Sequence, residues 1–159
     1  MKKLNLAIIG QGRSGYSIHG KYLLSENGKS LFNVVAVVDY AEDRRKKAAE
    51  EFNCDTYSDY RELFKRDDID FVVASTFSNE RFPVVLDLLE HKLNVVAEKP
   101  FSKYSMDCER MIKASKENGV MFQYFEWYLP ADASLWKTVS ANAQELSDKG
   151  VTSVWLPPA

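Results

Sequence analysis

Three glycines at the end of an apolar run constrain the fold of this chain more than any other feature. The run Leu4–Ile9 leads into Gly10-x-Gly12-x-x-Gly15, and a helix-like segment follows over residues 16–25. In such an order the first glycine makes a tight turn, the second lets the backbone approach a pyrophosphate, and the third allows close helix–strand packing. The free N–H groups and the positive dipole at the helix start then face the phosphates. The stretch therefore predicts a dinucleotide-binding turn.

Length, composition and net charge indicate the general class of protein. The chain has 159 residues, of which 45% are hydrophobic and 28% charged, and these values are typical of one soluble globular domain. A net charge of −2 does not favour a surface for nucleic acid or acidic lipid. No apolar run is long enough for a membrane span, and the N-terminal run is too short for a signal peptide. Cys54 and Cys108 are isolated, which predicts a reduced, cytoplasmic protein without a metal site.

The second strand is predicted at Phe32–Val38, where a β-branched run is typical of a strand buried on both faces. Asp39 follows it, and an acid at this place suits hydrogen bonds to ribose hydroxyls, although it can also be a turn or cap residue. Its charge would repel a 2′-phosphate and so favours NAD over NADP. Arg44 and Arg45 can form ion pairs with such a phosphate, or they can simply be solvated on a helix over residues 41–52.

Two further strands, predicted over residues 69–75 and 93–97, end in polar residues. Ser75, Thr76, Phe77 and Asn79 lie past the first, at the sheet edge where ligands bind, and they either line a cofactor or cap the next helix. The second runs into Glu98-Lys99-Pro100, where the proline biases Lys99 toward extended geometry. Its ammonium can then reach into the crevice and assist proton movement, or it can form a surface ion pair with Glu98.

The remaining pattern completes an alternating α/β order. A short strand is expected over residues 54–57 and a helix over 60–66, and a core stripe is expected at Phe82, Val85, Leu86 and Leu89. Ser102 is expected to cap a helix that ends at Gly119. The inward side chains of that helix are predicted to be Cys108, Met111, Ile112 and Ser115.

Residues 1 to about 122 resemble the N-terminal domain of the glucose–fructose oxidoreductase / inositol dehydrogenase family (Gfo/Idh/MocA). The motifs that carry the resemblance are AIIGQGRSG, VVAVVD, AEDRRKKAAEEF, STFSN and VVAEKP. Members are NAD(P)-dependent oxidoreductases that act mostly on sugars and cyclitols. The resemblance implies that Asp39 holds the adenosine ribose and that Glu98 and Lys99 lie near the nicotinamide, with Lys99 as the active-site lysine. It also implies pyrophosphate contacts from Gly10, Gly12, Arg13, Ser14 and Gly15, and further cofactor contacts from Ser75, Thr76 and Asn79.

The last part of the chain departs from that family. Residues 121–159 resemble the first strand, helix and second strand of a bacterial α-amylase (β/α)₈ barrel, through QYFEWYLP and VWLPPA. Two signatures inside one strand predict a chimera joined between Val120 and Tyr124, since both folds use right-handed parallel βαβ units. The helix of the unit is expected to begin at a cap residue, Asp132 or Ser134, and to end at Gly150. Its inward stripe is predicted to be Leu135, Val139, Asn142 and Leu146, imperfect at the polar Asn142. A strand over residues 151–156 is expected to follow and to stop at Pro157 and Pro158.

Neither amylase chemistry nor metal chemistry is expected. Retaining glycosidases need a carboxylate pair, whereas Glu126, Asp132 and Glu145 are spread over a strand, a loop and a helix. The tryptophans are expected to serve packing rather than sugar stacking; they are Trp127, Trp136 and Trp155. His19 and His91 have no ligand cluster around them. His19 is expected to be a packed or solvated histidine, although it lies near the expected cofactor position.

These features predict one α/β domain over residues 1–159, a doubly wound parallel sheet of Rossmann type. It would consist of a dinucleotide-binding part, 1–122, and an amylase-like completion, 123–159. The expected strand order is 3-2-1-4-5-6, with a seventh strand from the grafted βαβ unit.

Three functional hypotheses follow. In the first, an engineered or recombined chimera binds NAD(H) but lacks the substrate domain and so has no complete activity. In the second, an NAD(P)-dependent oxidoreductase acts on a sugar or polyol with a substrate domain supplied elsewhere. In the third, the borrowed unit obstructs the crevice and nothing binds. The sequence leaves open whether the uncovered sheet face forms a homodimer.

Overall fold

The computed structural model describes residues 2–118, 120–123, 134–148 and 151–155. Its centre is a parallel sheet of seven strands in the order β3-β2-β1-β4-β5-β6-β7. The strands are β1 Leu4–Ile9, β2 Phe32–Val38, β3 Asp55–Tyr57, β4 Phe71–Ala74, β5 Val95–Ala97, β6 Val120–Gln123 and β7 Val151–Trp155. The predicted fold class, strand order and seventh strand are confirmed.

Helices and helical turns connect the strands. A π-helix, Arg13–Gly20, follows β1 and is called the glycine helix below, and a 3₁₀ helix, Tyr60–Lys65, precedes β4. The α-helices are α1 Lys21–Leu24, α2 Glu26–Leu31, α3 Glu42–Phe52, α4 Ser78–Glu90, α5 Ser105–Asn118, α6 Ser134–Ala141 and α7 Ala143–Asp148. Among the described residues, no helix is long and apolar enough to cross a membrane.

Alternation along the strands divides the core into two clusters, one on each face of the sheet. In β1, Leu6 and Ile8 belong to one cluster, while Ala7 and Ile9 belong to the other. The first cluster packs against Leu23 of α1 and Ala48 of α3, and the second contains the apolar side of α4 and Met111 of α5. Strands that are buried on both faces explain the near-continuous apolar runs in the sequence.

Two predicted helix boundaries were wrong. The first helix begins at Arg13 and α1 ends at Leu24, because the Ser25 hydroxyl accepts a 3.1 Å hydrogen bond from Gly28 N and caps a separate helix, α2. Ser102 does not cap α5, which starts at Ser105. Its hydroxyl instead accepts from Tyr104 N at 3.2 Å and donates to the Asp107 carboxylate at 2.6 Å, which orders the turn before the helix.

Two predicted inward stripes also need correction. In α5, Met111 and Ser115 are buried and Cys108 packs against the core, but Ile112 is 36% exposed. In the C-terminal unit, Asn142 is exposed and interrupts the helix: its side-chain amide donates to Thr138 O at 2.7 Å, and α6 and α7 lie on either side of it. Such side chain–backbone bonds compete with the helical pattern.

Strand β6 lies where the two sequence resemblances meet. It pairs in parallel with β5, with Val120 opposite Val95, and with β7, with Gln123 opposite Trp155. The predicted junction therefore falls on a strand that is paired on both sides.

Several predictions lie outside the described residues: those on Gly119, Glu126, Trp127, Asp132, Gly150, Pro157 and Pro158, and on the side chains of Ser134, Leu135, Trp136 and Trp155.

Candidate cofactor site

Two of the three glycines are required by the fold itself. Gly10 has φ +88°, and its N–H donates to Val38 O at 2.7 Å. A Cβ there would lie 2.7 Å from the Ser75 carbonyl oxygen, and a Cβ on Gly15 would overlap the carbonyl oxygen of Gly10. The turn thus packs against the end of β4 on one side and the glycine helix on the other, too closely for any side chain.

Gly12 differs from its neighbours, because a Cβ built there meets nothing within 4 Å. Its backbone, with φ −79° and ψ −154°, is one that other residues adopt, and it directly precedes the glycine helix. The described residues therefore give no steric reason for a glycine here. Open space at the start of a helix, where the first N–H groups lack intrahelical partners, is what a pyrophosphate needs.

The Asp39 carboxylate, 2% exposed, is built into the turn. One oxygen accepts from Gln11 N at 2.7 Å and the other from Ala41 N at 2.9 Å, so the acid links the glycine turn to the start of α3. Arg44 Nη1 lies 3.5 Å from the first oxygen. Asp39 is therefore a turn residue, and a ribose hydroxyl would have to use the lone pairs that these two backbone bonds leave.

Both the glycine turn and the segment just after β4 contain buried polar atoms without partners among the described residues. The described structure gives no hydrogen bond to Ser75 Oγ, Thr76 Oγ1 or Gln11 Nε2, although all three atoms are buried. Such atoms are rare in native proteins and call for a missing partner. Asn79, in the first turn of α4, is exposed, and Phe77 before it is 62% exposed.

The residue after β5, Glu98, is bonded to His19, which was expected to be a packed or solvated histidine. His19 Nε2 lies 2.7 Å from Glu98 Oε1, with the two side chains 24% and 16% exposed. The hydrogen bond from His19 holds the pKa of Glu98 below its usual value, against the opposing effect of burial and with help from the charge of Arg81. Lys99 is exposed, and no hydrogen bond or ion pair of its ammonium occurs among the described residues.

Arg81 is the site-forming residue that sequence reasoning missed. It is 5% exposed, and its guanidinium donates to Thr76 O at 2.6 Å and to Pro100 O at 2.7 Å. The signal that could have found it is positional, because Arg81 begins the inward stripe of α4 that continues through Val84, Val85 and Leu88. A charge at a core position implies buried partners.

The structure therefore brings most of the predicted site residues to one edge of the sheet. These are the glycine turn, Asp39, Ser75, Thr76, Glu98 and Lys99, which follow β1, β2, β4 and β5. In open α/β sheets this carboxyl edge is where ligands bind, at the point where the strand order reverses. Here that point lies between β1 and β4.

Comparison with known proteins agrees with this geometry. The family model described as the oxidoreductase family with an NAD-binding Rossmann fold, GFO_IDH_MocA, matches residues 4–126. The 2,7-anhydro-N-acetylneuraminate hydratase of Mediterraneibacter gnavus is 32% identical over 122 residues, which are 77% of this chain and 31% of that protein. Inositol 2-dehydrogenase of Salmonella typhimurium is 30% identical over 118 residues, 73% of this chain and 34% of that one. The chain thus spans about a third of the length of these relatives.

A separate segment resembles a different family. The α-amylase of Geobacillus stearothermophilus is 56% identical over 46 residues, which are 29% of this chain and 8% of that enzyme. This confirms the second resemblance seen in the sequence.

Solved structures agree on the fold. Myo-inositol 2-dehydrogenase from Lactobacillus plantarum superposes with a TM-score of 0.70 at 22% identity, over 90% of this chain and 42% of that one. Two other neighbours were solved as complexes, one with NAD and one with NADP. Over residues 4–126, this chain belongs to the Gfo/Idh/MocA oxidoreductase family, whose model is that of an NAD-binding Rossmann fold.

Proposed function

We propose that this chain binds NAD(H) at the carboxyl edge of its sheet and does not by itself complete a catalytic site. The observation that carries the proposal is the open space at Gly12, together with buried hydroxyls of Ser75 and Thr76 that have no partner among the described residues. A dinucleotide would occupy the open space and would give the two hydroxyls hydrogen-bond partners. The fold alone explains neither feature.

The residues present fit the cofactor. Gly10, Gly12 and Gly15, with the N–H groups of Arg13 and Ser14, would hold the pyrophosphate at the start of the glycine helix. Asp39 would receive the adenosine ribose. Ser75, Thr76 and Asn79 would lie along the cofactor, and Glu98 and Lys99 would lie near the nicotinamide, which exchanges hydride when bound.

NAD fits better than NADP. A 2′-phosphate would approach the Asp39 carboxylate, and like charges repel. Arg45 already has two hydrogen-bond partners, because its Nη1 donates to the carbonyl oxygens of Asp39 at 2.8 Å and Tyr40 at 2.9 Å. Arg44 lies against Asp39 itself. Neither arginine is left free to receive the phosphate.

The amylase-like segment supports a chimeric origin, whether engineered or recombined. The amylase-like sequence begins near Gln123, at the end of the family match over residues 4–126, and the chain continues there into a βαβ unit. Strand β6 makes this join feasible, since it pairs with β5 of one part and β7 of the other. A homodimer through one face of the sheet belongs to the same proposal, and light scattering tests it.

Calorimetric titration with NAD and with NADH tests the proposal, using Gly12→Ala as the matched control. This variant fills the open space without a clash in the protein. Binding by the wild type that the variant loses supports the proposal. Failure of the wild type to bind millimolar cofactor would overturn it and favour an obstructed crevice.

An oxidoreductase is the second candidate, favoured by the exposed Lys99 ammonium one residue after the Glu98–His19 pair. A lysine so placed can hold or accept the proton of a substrate hydroxyl. Reduction of NAD with myo-inositol or glucose, abolished in Lys99→Met, would establish it. No turnover above the Lys99→Met rate would leave cofactor binding as the function.

A further inference from the structure

Arg81 is a buried charge in the apolar side of α4. It is 5% exposed, and the side chains that follow it on the same stripe, Val84, Val85 and Leu88, are buried as well. Burying a guanidinium costs free energy, and a well-packed apolar side chain of similar volume is often at least as stabilising. The position therefore calls for an explanation other than packing.

The contacts of Arg81 supply one. Beyond the last paired residues of the two strands, Ala74 and Ala97, the ladder continues with the bond from Glu98 N to Ala74 O at 3.3 Å. Arg81 makes the next link. One arm of its fork donates to Thr76 O after β4, and the other donates to Pro100 O after β5.

Arginine suits this position better than lysine, because a planar fork addresses two acceptors at fixed geometry. Burial lowers the pKa of the guanidinium, while the negative charge of Glu98 opposes that effect. Glu98 is in turn bonded to His19. Arg81 therefore joins the loop after β4, which contains the unpartnered Thr76 hydroxyl, to the turn after β5, which contains Glu98 and Lys99.

We propose that Arg81 is a positioning residue that ties the loop after β4 to the turn after β5 and so sets the nicotinamide end of the cofactor crevice. The proposal rests on the proposed function. The adenosine end, at Asp39 and the glycine turn, follows β1 and β2, and among the described residues no hydrogen bond or ion pair joins it to Arg81. Changes at Arg81 should therefore affect the two halves of the cofactor differently, which a general loss of stability would not do.

The test compares two probes, NADH and ADP-ribose, on the wild type, Arg81→Lys and Arg81→Met. Arg110→Met is the matched control, because Arg110 is exposed and its guanidinium lies over the Phe82 ring, 5.2 Å from its centroid, and among the described residues it has no hydrogen bond to either loop. Hydrogen exchange of residues 75–77 and 98–101 in the cofactor-free proteins gives a second readout that does not depend on binding.

In Arg81→Met, NADH should bind about tenfold more weakly, while ADP-ribose affinity stays within about twofold. Exchange should rise in both loops together and stay unchanged in the glycine turn. Arg81→Lys should rescue only part of either effect, and Arg110→Met should match the wild type. Equal losses for both probes, or unchanged exchange in the two loops, would overturn the proposal. If the wild type binds neither probe, the proposed function fails, and the exchange result alone then decides whether Arg81 links the loops.

Discussion

The imidazole of His19 and the carboxylate of Glu98 lie 2.7 Å apart, and this contact joins the glycine helix to the end of β5 past the intervening strand β4. The two residues are 79 positions apart in the chain. The bond from His19 is the largest cause of the lowered pKa of Glu98. The bond thus stabilises the ionised form of the carboxylate, at the edge where the nicotinamide is proposed to lie.

Substitution His19→Ala should raise the pKa of Glu98 toward its usual value, because the main stabilising partner of the carboxylate is gone. A folded-state pKa below the unfolded one adds stability above the unfolded value, about pH 4.3 for glutamate, and the gain disappears as pH falls through the folded value. In His19→Ala that gain should shrink. NMR titration of the labelled carboxyl group measures the shift, and an unchanged midpoint would contradict the assignment of His19 as its cause.

Substitutions at Gly12 and Gly15 should separate binding from folding. Gly12→Ala should leave the thermal midpoint equal or slightly higher, since the added Cβ meets no protein atom and the unfolded chain loses freedom. Its NADH affinity should fall about tenfold or more, because the methyl group occupies the pyrophosphate space. Gly15→Ala should lower the midpoint strongly, because its Cβ overlaps the carbonyl oxygen of Gly10. Equal stability of both variants would contradict this account.

Local pattern was enough to predict much of the fold. β2 has the predicted bounds, Phe32–Val38, because a β-branched run buried on both faces leaves little ambiguity about where the strand begins and ends. The glycine triplet likewise marks a place where the backbone admits no side chain. These signals are local, so one stretch of sequence contains them whole.

The candidate site was harder to predict from the sequence, because it is formed by contacts between residues that are distant in the chain. Nothing near Arg81 indicates that its partners are carbonyl oxygens of two different loops, and nothing near His19 indicates Glu98. Asp39 shows the same limit. Its place after β2 was predicted, but its bond to Gln11 N exists only because β1 and β2 are neighbours. Such contacts follow from the assembled sheet rather than from residue spacing.

Substitution Asp39→Asn should destabilise the protein, because an amide oxygen can replace only one of the two acceptors. Either Gln11 N or Ala41 N would then face an NH₂ group, and a buried donor left unpaired costs about 1–3 kcal/mol. Urea denaturation measures the loss. Asp67→Asn is the control, since Asp67 is exposed. A loss no larger than the control's would mean that Asp39 does not support the turn and contributes mainly through the ribose.

Cys54 should react slowly with thiol reagents, because burial, helped by the charge of Asp55, raises the pKa of its thiol to about 11. At pH 8 only on the order of one molecule in a thousand would carry the reactive thiolate at this position. In a Cys108→Ser variant, where Cys54 is the only thiol, the rate with an aromatic disulfide should climb about tenfold per pH unit from 7 to 10. The Cys54→Ser variant gives the matching profile of Cys108. A plateau for Cys54 near pH 8.5 would show an ordinary thiol, and with it a looser contact between the start of β3 and α3 than the structure has.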